Sequence, residues 1–192
     1  FKRELVKLHG EDVKQSRHFV RLVNDRAFKR VSSYLAQGDI IVGGNSDASQ
    51  RYIEPTLLDN VSPTAPVMQE EIFGPILPMV TFDAISEALD FVKKREKPLA
   101  LYYFGANSAG REFLHNTSSG GACINDAVMQ IANENVPFGG VGTSGMGHYH
   151  GRYSFETFSH AKAVVSTTNR FFLSIKSAPY GDKLKWVKKI LK

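Results

Sequence analysis

An α/β fold with a mainly parallel sheet is what this 192-residue sequence predicts. Strand-like and helix-like segments alternate with short connections, the order expected of parallel strands joined by crossover helices. The run "LALYYF" at 99–104 is unbroken and apolar, as in a strand covered on both faces. The segment before it carries Ile85, Ala88, Leu89 and Val92 on one helical face, as in a helix lying on a sheet.

The elements follow in order. Phe1, Leu5 and Leu8 share a helical face, and Gly10 is the stop. A second helix is capped by Asn24 or Asp25, carries the stripe Phe28, Val31 and Leu35, and ends at Gly38. "IIVGG" at 40–44 reads as a short buried strand and a turn, and "RYIEPTLLDNV" as extended segments broken at Pro55. "ILPMVTF" is another strand. Asp83 caps the helix over 85–92, which ends before Pro98. After the strand at 99–104, Ser108 caps a helix through Phe113 and Leu114, with Gly120 or Gly121 as its stop, and "ACIN" is a further strand. From about residue 126 the pattern changes. "PFGGVGTSGMGHYHG" is too rich in glycine for a helix or regular strand and reads as a long ordered loop. "KAVVST" at 162–167 resembles a strand, and Leu184, Val187, Ile190 and Leu191 mark a short amphipathic helix.

Composition narrows the function classes. Hydrophobic residues make up 42% of the chain, enough for one core and perhaps one domain with an appendage. One cysteine excludes an intramolecular disulfide and fits a reducing, cytoplasmic setting. No apolar run is long enough for a transmembrane helix, and "FKRELVKLHG" has no signal-peptide architecture. Starting on Phe1 rather than Met, the chain reads as a piece of something longer. Of the net charge of +5, the last twelve residues hold +4, five lysines against Asp182. The body is electrically balanced, so a nucleic-acid partner is not expected.

Four motifs invite chemistry. Cys123 is either a nucleophile or an ordinary buried side chain; no Lys, Arg or His stands beside it in sequence to activate a thiol. Gly140, Gly142 and Gly145 form G-x-G-x-x-G, but no strand precedes it and no helix opens from it, so it is not a phosphate cradle. Its glycines instead let backbone pass close to another segment. "EEIFGP" at 70–75 sets an acidic residue and an aromatic ring in a tight turn. A carboxylate there can take both hydroxyls of a ribose and a phenyl ring can lean on a flat heterocycle; a solvated Glu and a core Phe at a strand entry are the plainer reading of the motif alone. His148, His150 and His160 lack the companions of a metal site, and no G-x-S-x-G elbow marks a serine hydrolase. The terminal helix with Trp186 could touch a membrane surface, dock on protein or fray.

Taken in order and spacing, "PVMQEEIFGPILPMV", "EKPLALYYF", "SSGGACIND", "VPFGGVGTSGMGHYHG" and "SFETFSHAKAVV" resemble an aldehyde dehydrogenase, specifically the class 3 branch of fatty and aromatic aldehyde dehydrogenases. The resemblance implies a three-layer α/β catalytic domain and oxidation of aldehydes to carboxylic acids with NAD or NADP. In that family a cysteine thiolate attacks the carbonyl, and a glutamate-activated water releases the acid. Carried onto this sequence, Glu71 holds the nicotinamide ribose and Phe73 packs near the nicotinamide. Phe138 lines the aldehyde pocket with His150 near it. Asn125, Gly139 and Gly140 support the site, and Asn125 fixes the loop leading to "PFGG". The nucleophile, the glutamate base and the oxyanion asparagine are implied to lie upstream of this chain, so Cys123 is not the nucleophile, no catalytic residue is assigned and the chain alone is inactive. The division implied is a catalytic-domain portion over 1–147, an oligomerisation segment over 148–170 and a tail over 171–192. The partners implied are an aldehyde, the rest of the subunit and a second copy in a homodimer, with no membrane. The alternatives are a non-catalytic oligomerisation module derived from such an enzyme, or an acyl-CoA-linked relative.

Overall fold

The structure, a computed structural model, describes residues 1–168 and 178–190. The chain divides into two compact units, Phe1–Phe91 and Val92–Lys192.

In the first unit, α1 (Lys2–His9) stops at Gly10, whose φ of 84° suits glycine and whose N–H bonds the Val6 carbonyl at 2.8 Å. Its apolar face is open, with Phe1 and Leu8 exposed. The helix α2 (Asp25–Ser33) is capped as expected: Asn24 Oδ1 accepts the Ala27 N–H at 2.8 Å. Val31 from its stripe is fully buried, with Phe28 and Leu35 packed around the core. Strand β1 (Asp39–Val42) is followed by the paired β2 (Ser46–Asp47) and β3 (Tyr52–Ile53), then β4 (Thr56–Asp59) and β5 (Ile76–Pro78). β4 is central, antiparallel to β1 and parallel to β5. Pro55 falls between β3 and β4, where no ladder hydrogen bond is asked of it. Val31, Tyr34, Ile53, Leu58, Val61, Val67 and Ile76 form the core. Thr56, also fully buried, is satisfied: its hydroxyl donates to the Glu54 carbonyl at 2.7 Å and accepts the Gly44 N–H at 2.9 Å.

Helix α3 (Ile85–Lys93) begins after the predicted cap. Asp83 does not cap it; the Asp83 N–H instead donates to the Glu87 carboxylate at 3.2 Å.

In the second unit, β6 (Ala100–Tyr103), α4 (Asn107–His115) and β7 (Gly121–Ile124) form a strand–helix–strand unit with parallel strands. Ala106, not Ser108, occupies the cap of α4, and Ser108 lies inside the first turn. α4 lies tight on β6 because position 110 is glycine: a Cβ there would sit 2.8 Å from Tyr103 Cδ1. Short helices α5 (Met129–Ala132), α6 (Gly151–Thr157) and α7 (Leu184–Ile190) follow. Leu191, assigned above to the last helix, lies outside the described residues, as do 169–170 of the expected oligomerisation segment and the first seven residues of the expected tail.

The chain is mixed α/β. Among the described residues its strands make three small sheets with two parallel and two antiparallel pairings, rather than one mainly parallel layer. The reason is the link from β1 to β4. It runs through the β2–β3 pair instead of a crossover helix, and such a return sets strands antiparallel. Segment 162–167 has no ladder partner among the described residues, and Val164 and Val165 are 77% and 85% exposed. No helix of the described residues is long and apolar enough to cross a membrane.

Candidate functional site

Residues 70–75 form a turn wedged against α2 by three features. Ile76, at its end, is buried and starts β5, while Thr56 N–H bonds the Pro75 carbonyl at 2.8 Å. Gly74 touches Val31 so closely that a Cβ would lie 2.6 Å from Val31 Cγ1. Arg30, one residue before Val31, reaches across 41 positions of sequence. Its Nη1 donates to the Glu71 carbonyl at 3.0 Å and its Nη2 to the Ile72 carbonyl at 2.8 Å. Nη1 also donates to the Tyr34 hydroxyl at 2.6 Å, and that hydroxyl donates to Glu70 Oε2 at 2.9 Å. Burial first, and the Glu70 carboxylate next, raise the Tyr34 phenol above its ordinary value.

The two adjacent glutamates are therefore not equivalent. Glu70 is occupied by Tyr34, with Arg30 at 3.8 Å. The Glu71 side chain is exposed and makes no hydrogen bond or ion pair among the described residues. Phe73 follows in the left-handed region, φ 47°, where a bulky residue is strained. Phe73 is 74% exposed and stands outside the core of the first unit.

In the second unit, Phe138 and Tyr149 exchange backbone hydrogen bonds of 3.0 and 2.9 Å, closing the glycine-rich loop at its neck. Phe138 stacks on His150 with ring centroids 5.8 Å apart, and Tyr149 meets both rings edge-on. His150 has φ 94°, its N–H donates to Ser154 Oγ at 2.9 Å, and its Nδ1 is buried with no hydrogen-bond partner among the described residues. Inside the loop, glycine is sterically required. A Cβ on Gly139 would fall 2.1 Å from the Gly147 carbonyl oxygen, and one on Gly140 2.1 Å from the Ser144 carbonyl oxygen. Asn125 (φ 57°) stands directly after β7, at the start of the segment that leads to Phe138. Its side chain clips the end of β6, accepting the Gly105 N–H at 2.8 Å and donating to the Gly105 carbonyl at 2.9 Å and Asn107 Oδ1 at 3.0 Å.

Cys123 sits on β7, partly buried, with its thiol donating to Gln130 Oε1 at 3.0 Å; Gln130 in turn donates to the Tyr102 hydroxyl at 2.9 Å. A neutral amide cannot serve as the general base of a nucleophilic pair. The G-x-G-x-x-G stretch is a single short turn, Gly142–Ser144, and opens no α-helix. No group of three or more His, Cys, Asp or Glu suited to a metal occurs among the described residues. Sequence reasoning missed Arg30, Tyr34 and Tyr149. Arg30 in the last turn of α2 and Tyr34 at its C-cap are four apart, a spacing that sets side chains on one side of a helix and was readable; what they face was not.

The model of the Aldehyde dehydrogenase family matches residues 4–164. The chain is 45% identical over 191 residues to the 4,4'-diaponeurosporen-aldehyde dehydrogenase of Staphylococcus aureus, covering 98% of this chain and 42% of that protein. It is 50% identical over 165 residues to the dimeric NADP-preferring aldehyde dehydrogenase of Rattus norvegicus, covering 85% of this chain and 36% of the relative. Among solved structures, the substrate-bound state of Staphylococcus aureus AldH superposes with a TM-score of 0.86 at 44% identity, over 99% of this chain and 42% of that one. A succinate-semialdehyde dehydrogenase from Burkholderia pseudomallei gives 0.70 at 28% identity, over 82% and 34%. The chain thus spans well under half the length of these four proteins, and it belongs to the aldehyde dehydrogenase family.

Proposed function

We propose that this chain supplies cofactor-facing and aldehyde-facing residues of an NAD(P)-dependent aldehyde dehydrogenase of the class 3 branch, as the C-terminal part of its subunit. The cysteine nucleophile, the glutamate base and the oxyanion asparagine come from sequence outside it. The observation that carries the reading is the turn at 70–75, where one of two adjacent carboxylates is tied down and the other is left to solvent beside an exposed phenyl ring. A carboxylate accepts both hydroxyls of a vicinal diol, and a ring held by strained backbone offers a fixed apolar face. Both features fit a nicotinamide ribose: Glu71 would hold its hydroxyls and Phe73 would pack near the nicotinamide. The bound dinucleotide supplies the hydride acceptor for oxidation of the aldehyde.

The residues of this chain otherwise bind and orient. Phe138 lines the aldehyde pocket, with His150 stacked on it and Tyr149 bracing both rings. Gly139 and Gly140 set the loop's path, and Asn125 acts on the end of β6. The catalytic-domain portion runs over 1–147 and completes a three-layer, mainly parallel sheet with the rest of the subunit. Segment 148–170 carries a strand that pairs with a second copy in a homodimer, and 171–192 is the tail. The exposed Val164 and Val165 support this pairing, and equally favour the second reading, a non-catalytic oligomerisation module. The cytoplasm is the proposed compartment, in keeping with the single free thiol of Cys123. Dinucleotide kinetics separate the two readings. In the longer protein, Glu71→Gln raises the KM for NAD(P)+ with little change in the KM for aldehyde; unchanged dinucleotide kinetics contradict the enzyme reading of Glu71.

A further inference from the structure

We infer that Arg30, backed by Tyr34, is a positioning residue for the cofactor turn: it ties down Glu70 and the backbone of the turn so that Glu71 alone is free to receive the ribose. The inference rests on the proposed role of Glu71. It adds a residue on a different element, some forty positions away, that touches neither cofactor nor substrate.

The geometry separates Arg30 from an ordinary surface arginine. Its guanidinium donates to the two successive carbonyls of Glu71 and Ile72, so the peptide between them cannot rotate without breaking a charge-assisted bond. It lies over the Tyr34 ring, 5.5 Å from the centroid, and donates to its hydroxyl. That hydroxyl can then give its own proton only elsewhere, and it gives it to Glu70. Tyr34 is 1% exposed, so the relay is fixed by the core and not by solvent. On its far side the turn is held by Gly74 against Val31, which neighbours Arg30 on α2. Two chemically identical carboxylates thus receive different fates from Arg30 and Tyr34 at the end of α2. Glu70 becomes structure, and Glu71 stays available beside Phe73. A lysine at position 30 would offer a point charge without the planar fork that spans two carbonyls.

The test is a double-variant cycle in the longer, active protein, reading the KM for NAD(P)+ and for aldehyde separately. If Arg30 acts through Glu71, Arg30→Met raises the dinucleotide KM by about tenfold, the size of one lost charge-assisted hydrogen bond. The aldehyde KM stays put and Arg30→Lys restores part of the loss. The Arg30→Met/Glu71→Gln double variant is then no worse than Glu71→Gln alone. If Glu71→Gln raises the dinucleotide KM but Arg30→Met is silent, or its effect multiplies with that of Glu71→Gln, Arg30 is merely structural and the inference falls while the reading of Glu71 survives. If Glu71→Gln itself leaves the dinucleotide KM unchanged, the reading falls and takes the inference with it. Should Arg30→Met fail to fold, Tyr34→Phe, which removes a single hydroxyl, takes its place in the same cycle with the same outcomes.

Discussion

Gly74→Ala should destabilise the protein through one contact, and Val31→Ala should relieve it. Gly74 does not lie in the left-handed region, so alanine meets no backbone strain there. The cost is steric: the new Cβ would stand 2.6 Å from Val31 Cγ1 and 3.1 Å from Cγ2. Val31 cannot step aside, because it is fully buried and β-branched residues in helices have one strongly preferred rotamer. Overpacking of this kind costs about 1–3 kcal/mol. Val31→Ala removes both clashing methyls at a cost of about 2 kcal/mol in lost burial and cavity. In that background the added methyl fills space, so the double variant should lie within about 0.5 kcal/mol of Val31→Ala alone. Urea unfolding followed by circular dichroism reads this directly. With a slope of about 2 kcal/mol per molar, Gly74→Ala lowers the midpoint by about 0.5–1.5 M. A loss below about 0.5 kcal/mol, or losses that simply add in the double variant, would refute the claim that the turn is wedged on α2.

Three other outcomes are expected. Cys123→Ser in the longer protein is expected to keep turnover, since the thiol donates to the Gln130 amide oxygen; loss of turnover with folding intact in circular dichroism contradicts this. Asp47 is held below the usual carboxylate range, first by its hydrogen bond from Lys14 and then by that from Ser49. Its contribution is therefore complete above about pH 4, the unfolded value, and is lost as pH falls through the lowered folded value. The urea midpoint of wild type should exceed that of Asp47→Asn at about pH 6, with the gap narrowing below about pH 4; a gap independent of pH sinks the idea. Exposed Phe155, Phe158, Val164 and Val165 should make the chain self-associate, and Val164→Asp with Val165→Asp should reduce the light-scattering mass; a monodisperse monomer at high concentration without these changes argues against it.

Much of the fold was legible where the signal is local. The Asn24 cap, the Val31 stripe and the Gly10 stop depend on a few neighbouring residues and appear as expected. So do the strands at 100–103 and 121–124, whose apolar runs need no knowledge of partners. Pairing was less legible. Nothing within Thr56–Asp59 says that it is central, with an antiparallel neighbour on one side and a parallel one on the other. Caps failed where a good capping residue stood one or two positions away from where packing started the helix, at Asp83 and Ser108. In the site, "EEIFGP" and "PFGG" were readable as motifs, and the steric need for Gly139 and Gly140 was foreseeable from glycine density alone. That Glu70 and Glu71 differ was not, because the difference is made by Arg30 and Tyr34, some forty residues earlier at the end of α2.

The central claim is that this chain carries binding residues of an aldehyde dehydrogenase while Cys123 does no chemistry. The most direct measurement is NAD(P)H absorbance on mixing aldehyde and NAD(P)+ with the purified 192-residue chain, and in parallel with the longer protein containing it. The account predicts turnover by the longer protein and none by this chain. Turnover by this chain, abolished by Cys123→Ser, would contradict it.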